Sequence, residues 1–318
     1  SWASIERKEG QSLKQLKSIA TVRSVGASTR IEGSKMSDEE VDVLLKAIDI
    51  TKLEERDAQE VVGYFGTLDI ISESYKDIDV SENQIKNLHN ILMKYSEKDQ
   101  WHKGNYKQHN NAVEANFPDG TKQVIFQTAE AGLPTEDAMR KLINWYINDK
   151  TTHALVKCAL FTYEFLSIHP FQDGNGRLSR LITSLLLLKN GYNWVQYVSF
   201  EHEIENRKSE YYRVLRACQS QRPNENVSDW ADFYFDALKN IQEQLMQKLE
   251  ESGIEMQLSP REKAIITFIG TRPGCKSGAI ANKLGIPNPT VKKILSELVE
   301  KNLIEKYGIG PGTNYTLK

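Results

Sequence analysis

Twelve residues, His169 to Arg180 (HPFQDGNGRLSR), gather a histidine, an acid, two glycines, an asparagine and two arginines between two strongly apolar stretches. A connecting loop needs one or two turn residues, so the rest of this set calls for chemistry. Proline disfavours α geometry in the residue before it, which stops the preceding helix at about His169 and holds the imidazole at a helix end, facing the loop. Gly174, Asn175 and Gly176 can turn successive backbone N–H groups inward as an anion-binding nest, and the next helix, starting at about Arg177, adds its own unpaired N–H groups. Arg177 and Arg180, three apart, lean to one side of that first turn. Two cations at a helix N-terminus oppose the macrodipole, an arrangement that makes sense when an anion binds between them. Asp173, beside the cluster, suits a hard divalent cation such as Mg2+. The run lacks the Gly-Lys-Ser/Thr ending of a Walker A loop and the third glycine of a dinucleotide fingerprint. A plain helix-loop-helix with incidental charges would leave the set unexplained.

The elements that must position these residues are mostly helical. Helical periods run over 54–75, 135–148, 152–168, 177–190, 200–219 and 228–251. Ser37 with Glu40 reads as a capping box before VDVLLKAI, and Ser81 with Gln84 as another before IKNLHNILMKY. One stretch, 111–128, reads as a β-hairpin turning at Pro118-Asp119-Gly120. From Leu258 the character changes to three short helices followed by two strands around a Gly-Pro-Gly tip, the pattern of a winged helix-turn-helix, with 249–257 as the expected linker. Ten Lys/Arg against four acids make residues 258–318 +6, while the remainder is −8. The expected fold is therefore mainly α with one hairpin, plus a small C-terminal winged helix-turn-helix.

HPFQDGNGRLSR resembles the Fic-family motif His-Pro-Phe-x-Asp/Glu-Gly-Asn-Gly-Arg-x-x-Arg, matched at every defined position. The resemblance extends over roughly residues 10–250. It implies an N-terminal helical region over 1–80, a Fic core over 81–250, and transfer of AMP from ATP to a Ser, Thr or Tyr hydroxyl of a target protein or of the chain itself. In that reading His169 deprotonates the hydroxyl, Asp173 binds Mg2+ on the α- and β-phosphates, and Gly174, Asn175 and Gly176 orient them. Arg177 stabilises the departing pyrophosphate and Arg180 holds the γ-phosphate. Relatives that transfer phosphate instead carry a lysine where Gly176 stands.

The same resemblance makes the hairpin a flap that holds the target segment by strand addition, with Val124, Ile125 and Phe126 as the docking strand. The alternative is a structural hairpin covering a core edge. The sequence departs from the family here: GNYK puts Lys107 where an arginine is common, and TAEAGLP carries one proline where two are common. SEYYRVLRACQ resembles the helix that walls the nucleotide, so Tyr211 or Tyr212 stacks on adenine and Gln219 reaches its edge or the ribose. The tyrosines read equally well as core. A second string, Ser28-x-x-x-Glu32-Gly33, resembles the family's inhibitory motif Ser/Thr-x-x-x-Glu-Gly/Asn. A carboxylate pairs bidentately with a guanidinium as phosphate oxygens do, so Glu32 beside Arg180 would take the γ-phosphate's place. The same glutamate could position water for AMP removal, which keeps a de-AMPylating activity as an alternative.

The bulk properties bound the rest. A formal charge of −2 excludes a globally basic nucleic-acid binder, although Lys292, Lys293, Arg272 and Lys276 on the basic module suit either DNA phosphates or a protein partner. Cys158, Cys218 and Cys275 fit no metal or disulfide spacing and read as buried thiols in a reducing compartment. The longest apolar stretch, 181–188, is too short to span a bilayer and the N-terminus has no apolar signal region, so no membrane partner and a cytoplasmic location are expected. A homodimer is left open. A metal site at His102 and His109 is the weaker reading of those histidines.

Overall fold

The computed structural model describes residues 10–48, 53–116, 122–300, 303–308 and 310–317. The chain divides into two compact units, Ser1–Met246 and Gln247–Lys318. The first unit opens with α1 (Gly10–Ile31), α2 (Asp38–Lys46), α3 (Arg56–Ser74) and α4 (Glu82–Leu92). A hairpin follows, β1 (Ala112–Asn116) and β2 (Lys122–Gln127). Then come α5 (Leu133–Asn148), α6 (Ala154–Ile168), α7 (Asn175–Lys189), α8 (Phe200–Asn206), α9 (Lys208–Gln219) and the greater part of α10 (Ser228–Gln257), whose last residues fall in the second unit.

Two helices buried on nearly all sides, α6 and α7, make the centre of this unit. Phe161, Phe165 and Ile168 of α6 and Leu178, Leu181, Leu185 and Leu186 of α7 are buried. The hydroxyls of Thr162 and Thr183 lie 3.0 Å apart across the pair, so each polar group inside the apolar contact has a partner. α10 closes over α6 through Trp230, whose indole N–H donates to the Ala159 carbonyl at 2.8 Å.

The Ser37 capping box is present, with its side chain accepting from Glu40 N–H and Glu40 reaching back to the Ser37 N–H. Ser81 accepts from Gln84 N–H, the first half of the same device. The expected run over 200–219 is two helices broken at Arg207, whose φ of −110° and ψ of 28° leave the helical region. Arg207 is held there by Glu203, Glu210 and Asp236. The segment expected as the linker, 249–257, is helical as the end of α10, and the division between the two units falls just before it, after Met246. Good helix formers on both sides of Gly253 outweigh its cost of about 1 kcal/mol.

β1 and β2 pair antiparallel, with Val113 opposite Phe126 and Glu114 opposite Val124. Ile125 is left as the extra residue of a bulge. The turn expected at Pro118-Asp119-Gly120 lies outside the described residues.

The second unit holds α11 (Pro260–Thr271), α12 (Ser277–Leu284), α13 (Asn288–Glu300), β3 (Ile304–Tyr307) and β4 (Asn314–Leu317), with the strands antiparallel. Ser259 and Glu262 form a capping box ahead of Pro260, which starts α11 at the position where a missing N–H costs nothing. Ile265, Phe268, Ile269, Ile280, Val291, Leu295, Leu298, Ile304 and Tyr315 form its core. This is a winged helix-turn-helix. Among the described residues no helix is long and apolar enough to cross a membrane.

Candidate active site

α6 ends at Ile168, and His169 takes φ 52°, ψ 60°, the left-handed conformation. Among the described residues it is the one non-glycine residue with positive φ. A bulky side chain pays roughly 1–3 kcal/mol for such a backbone, and sites that do so are concentrated where geometry matters. The His169 N–H still donates to the Phe165 carbonyl at 3.0 Å, so the turn caps α6 as it swings the imidazole over the loop. Nδ1 lies 3.4 Å from the Leu166 carbonyl. With the ring proton on that nitrogen, Nε2 keeps a free lone pair. Burial, and next the charge of Lys107, push the imidazole down to about 4, against the Leu166 carbonyl, Glu32 and Asp173. His169 is therefore neutral at pH 7 and able to accept a proton.

The loop beyond it is held by its own polar groups. The Asn175 side chain folds back on Phe171, accepting its N–H at 2.9 Å and donating to its carbonyl at 2.8 Å. Its amide is thus committed to shaping the loop. Gly174 has φ 80° and is the N-cap of α7, which begins at Asn175, two residues earlier than the sequence suggests. Beneath the loop lies buried His89, a residue that sequence reasoning passed over. Its Nδ1 accepts the Gly104 N–H at 2.9 Å, which leaves Nε2–H to donate to the Asp173 carbonyl at 3.0 Å. Its ring stacks on Phe171 at 3.9 Å. Burial pushes His89 down to about 4.

Arg180 is 2% exposed. Its Nε donates to the Ser28 hydroxyl at 2.8 Å, and its Nη2 donates to the Ser28 carbonyl at 3.0 Å and to Glu32 Oε1 at 2.8 Å. The pair with Glu32 is therefore a single contact, not the bidentate one expected, because Ser28 takes the other edge of the guanidinium. Burial alone would lower Arg180, but Glu32 leads the groups that keep it above its usual value. Glu32 follows the last residue of α1, where Gly33 at φ 111° lets Ser34 N–H return to the Thr29 carbonyl at 3.1 Å. A Cβ built on Gly176 would collide with the Glu32 carboxylate. The carboxylate thus lies on the N-terminal turn of α7, where the backbone favours an anion.

Arg177 is equally buried, with Glu60 at 3.4 Å and Asp173 at 3.5 Å. Both contacts are long, and its Nε has no partner. Glu60, also held by Arg56 at 2.8 Å, was not legible as a site residue. The available signal was a Gln-Glu pair set against Val61 and Val62 on α3. Burial pushes the Asp173 carboxyl up, but Arg177, the Gly174 N–H and Lys98 outweigh it and hold it down at about 2. Lys98 lies 3.2 Å from it.

On the wall of α9, Tyr211 is buried against Trp230 and Phe233, so it belongs to the core, while Tyr212 is partly exposed with the Arg216 guanidinium 5.3 Å from its ring centre. Burial raises Tyr211 to about 12 and raises Tyr212 as well. Gln219 donates to the Ser167 hydroxyl at 3.1 Å, and its buried Oε1 has no partner. On the hairpin, Val124 is 47% exposed and Phe126 partly so; the Ile125 side chain lies outside the described part. The bulge at Ile125 interrupts the docking strand expected there and sharpens its local twist.

The structure thus brings together a left-handed histidine, the Asp173 carboxylate, a glycine turn on a helix N-terminus and two buried arginines, one of them paired with Glu32. Residues 79–187 match the Fic/DOC family. The whole run from His169 to Arg180 lies inside that match. A Fic protein from Desulfovibrio desulfuricans whose crystal structure is solved is 26% identical, with a TM-score of 0.62 over 99% of this chain and 93% of that one. Two curated relatives are similar over shorter reaches. A "probable protein adenylyltransferase" of Aquifex aeolicus is 37% identical over 73 residues, 21% of this chain and 23% of its own length. The protein adenylyltransferase Fic of Drosophila melanogaster is 27% identical over 210 residues, 64% of this chain and 38% of its own. The chain thus spans well under half the length of these two curated relatives. Residues 258–305 match the winged helix-turn-helix DNA-binding family.

Proposed function

We propose that the chain is a protein adenylyltransferase that moves AMP from ATP to a Ser, Thr or Tyr hydroxyl, restrained by Glu32. The observation that carries the reading is the Glu32 carboxylate against buried Arg180 and over Gly176, an internal anion where a triphosphate would end. Carboxylate and phosphate oxygens compete for the same donors, so one excludes the other. With Glu32 displaced, Arg180 takes the γ-phosphate, and Arg177, which has only two long contacts and an orphaned Nε, turns to the leaving pyrophosphate. The α7 N-terminus and the Gly174–Gly176 turn hold the phosphates between them. Tyr212 offers the partly exposed ring for adenine, and the unpaired Gln219 Oε1 accepts from its edge or the ribose.

His169 takes the proton of the incoming hydroxyl on Nε2 while its Nδ1–H stays on the Leu166 carbonyl. A triphosphate carries more negative charge than the Glu32 carboxylate it would displace, so its arrival raises the basicity of the imidazole, because nearby anions favour the imidazolium. The hydroxyl oxygen then attacks the α-phosphorus, the bond to the β-phosphate oxygen breaks, and pyrophosphate leaves with its charge on Arg177 and Arg180. Asp173 fits Mg2+ as one hard, ionised, partly exposed carboxylate. Among the described residues no cluster of three or more His, Cys, Asp or Glu could hold a metal, so phosphate oxygens and water would complete its coordination. When bound, the ion neutralises phosphate charge and holds the chain of phosphates in line.

Incubation with Mg-ATP and intact-mass measurement tests the reading. The Glu32→Gly chain gains the mass of AMP, and the Glu32→Gly, His169→Ala double variant gains nothing. Equal gains in both would remove His169 from the chemistry.

For the second unit we propose contact with duplex DNA phosphates. Lys276, Lys292 and Lys306 line one groove of about 1080 Å3, and all three are exposed. A protein-docking role is the outcome that salt-independent or absent duplex binding would support.

A further inference from the structure

Lys107 is 1% exposed, yet among the described residues no carboxylate pairs with it. A buried ammonium without a counter-charge is costly and needs a compensating set of acceptors. It has one. Its three N–H donors meet three neutral oxygens: Asn111 Oδ1 at 2.8 Å, the Thr128 hydroxyl at 2.8 Å and the Ile168 carbonyl at 3.1 Å. Asn111 immediately precedes β1 and Thr128 immediately follows β2, so the first two contacts fasten both roots of the hairpin. Ile168 precedes His169. On its other side, the Pro170 carbonyl accepts the Lys107 backbone N–H at 2.8 Å. One residue therefore holds both neighbours of the histidine and both feet of the flap. Asn111 adds a link of its own by donating to the Phe171 carbonyl at 3.0 Å.

From this geometry we infer that Lys107 is a positioning residue that sets the flap against His169, so that a hydroxyl carried by a segment on the hairpin edge arrives at Nε2. This rests on the transferase reading of the site. The three partners of the Lys107 ammonium are distinct from those of Arg177 and Arg180, so it acts on placement of the acceptor and not on capture of ATP. A rigid pin is needed because displacement of reacting groups by about 1 Å costs roughly a hundredfold in rate. The buried cation has a second effect on its neighbour. His169 is faced by Lys107 from the flap root, by Glu32 from the end of α1, by Asp173 from the loop and by the Leu166 carbonyl. Of these, Lys107 opposes protonation of the ring and the other three favour it. Lys107 itself is pushed down to about 8 by burial, so it is charged at neutral pH and all three donors are in use.

The test uses the 318-residue chain carrying Glu32→Gly, alone and combined with Lys107→Gln or Lys107→Arg. Glutamine keeps some hydrogen bonding but no charge and too few donors; arginine keeps the charge and several donors. Expected for Lys107→Gln is a fall of roughly a hundredfold in the rate of AMP transfer to protein. Affinity for a non-hydrolysable ATP analogue, measured by calorimetry, should stay within about twofold, and Lys107→Arg should recover most of the rate. A parallel loss of nucleotide affinity, a glutamine variant that keeps at least half the rate, or an arginine variant as poor as the glutamine one would each overturn the proposal. If the Glu32→Gly reference incorporates no AMP, the transferase reading fails and the second measurement decides alone. It follows the His169 ring by NMR in the wild-type chain, assigned by comparison with His169→Ala. With Lys107→Gln the titration midpoint should rise by about one pH unit, and with Lys107→Arg it should stay in place. An unmoved midpoint in Lys107→Gln would show that the lysine does not act on the histidine.

Discussion

Removing the Glu32 carboxylate should have two opposed effects whose sizes follow from its single contact. Glu32 Oε1 accepts one charge-assisted hydrogen bond from Arg180 at 2.8 Å, and its side chain is 31% exposed. Such a bond is worth about 1.5–3 kcal/mol, with the lower part of that range expected for a partly solvated carboxylate. Loss of this internal competitor should therefore strengthen ATP binding and speed AMP transfer by about ten- to a hundredfold. The ligand-free protein should become less stable by about 1–2 kcal/mol. It should not collapse, because Ser28 still supplies two acceptors to Arg180. Thermal melts with and without Mg-ATP read both effects together. Glu32→Gly should melt lower than wild type without nucleotide and gain more from it, since stabilisation by a ligand scales with the logarithm of its concentration over Kd. Glu32→Gln keeps the length of the side chain but loses the charge, and should fall between the two. A Glu32→Gly chain with unchanged ATP-induced stabilisation and unchanged transfer rate would refute the idea that this carboxylate occupies a phosphate position.

Other expectations concern the loop, the second arginine and the basic module. His89 titrates at about 4 when folded and near 6.5 when unfolded, so the unfolded chain binds more protons between those values. Stability should rise with pH through that window and be lost as pH falls from 6.5 towards 4, by about 2–3 kcal/mol at pH 4.5. Replacing His89 with Gln, which preserves a donor for Asp173 and an acceptor for Gly104, should flatten that dependence in urea titrations at pH 7 and pH 4.5; an unchanged slope would reject the assignment. Glu60→Gln leaves buried Arg177 without its closest carboxylate and should cost about 3 kcal/mol of ligand-free stability, partly restored by added pyrophosphate. Lys276→Ala and Lys292→Ala should each reduce the salt slope of duplex binding by about one.

Helical period, capping serines and the change of character at Leu258 were enough to read the architecture, because each is a local property with a local cause. The run from His169 to Arg180 was legible for the same reason: its residues act within one loop and one helical turn. What lay hidden depends on distance along the chain. Glu60 meets Arg177, Lys98 meets Asp173, and His89 supports the Asp173 carbonyl, and no spacing rule links those pairs. Lys107 stood out in the sequence only as a departure from a family arginine; its role emerged from four contacts made across loops. The left-handed turn at His169 was also invisible, since His-Pro announces the end of a helix but not the geometry of that end. The segment expected as a linker, 249–257, continues α10 as helix, a conformation that the change of character at Leu258 did not announce. Arg207 did the opposite, breaking a sequence with helical period through ion pairs to three acids.

The central claim is that the loop between α6 and α7 binds a triphosphate so that its α-phosphorus faces His169. Parallel incubation of the Glu32→Gly chain with ATP radiolabelled at the α- or the γ-phosphate tests it most directly. The account predicts protein-bound label from the α-labelled nucleotide, none from the γ-labelled one, and none from either when His169 is alanine. Label arriving from the γ-phosphate, or α-label that persists without His169, would contradict it.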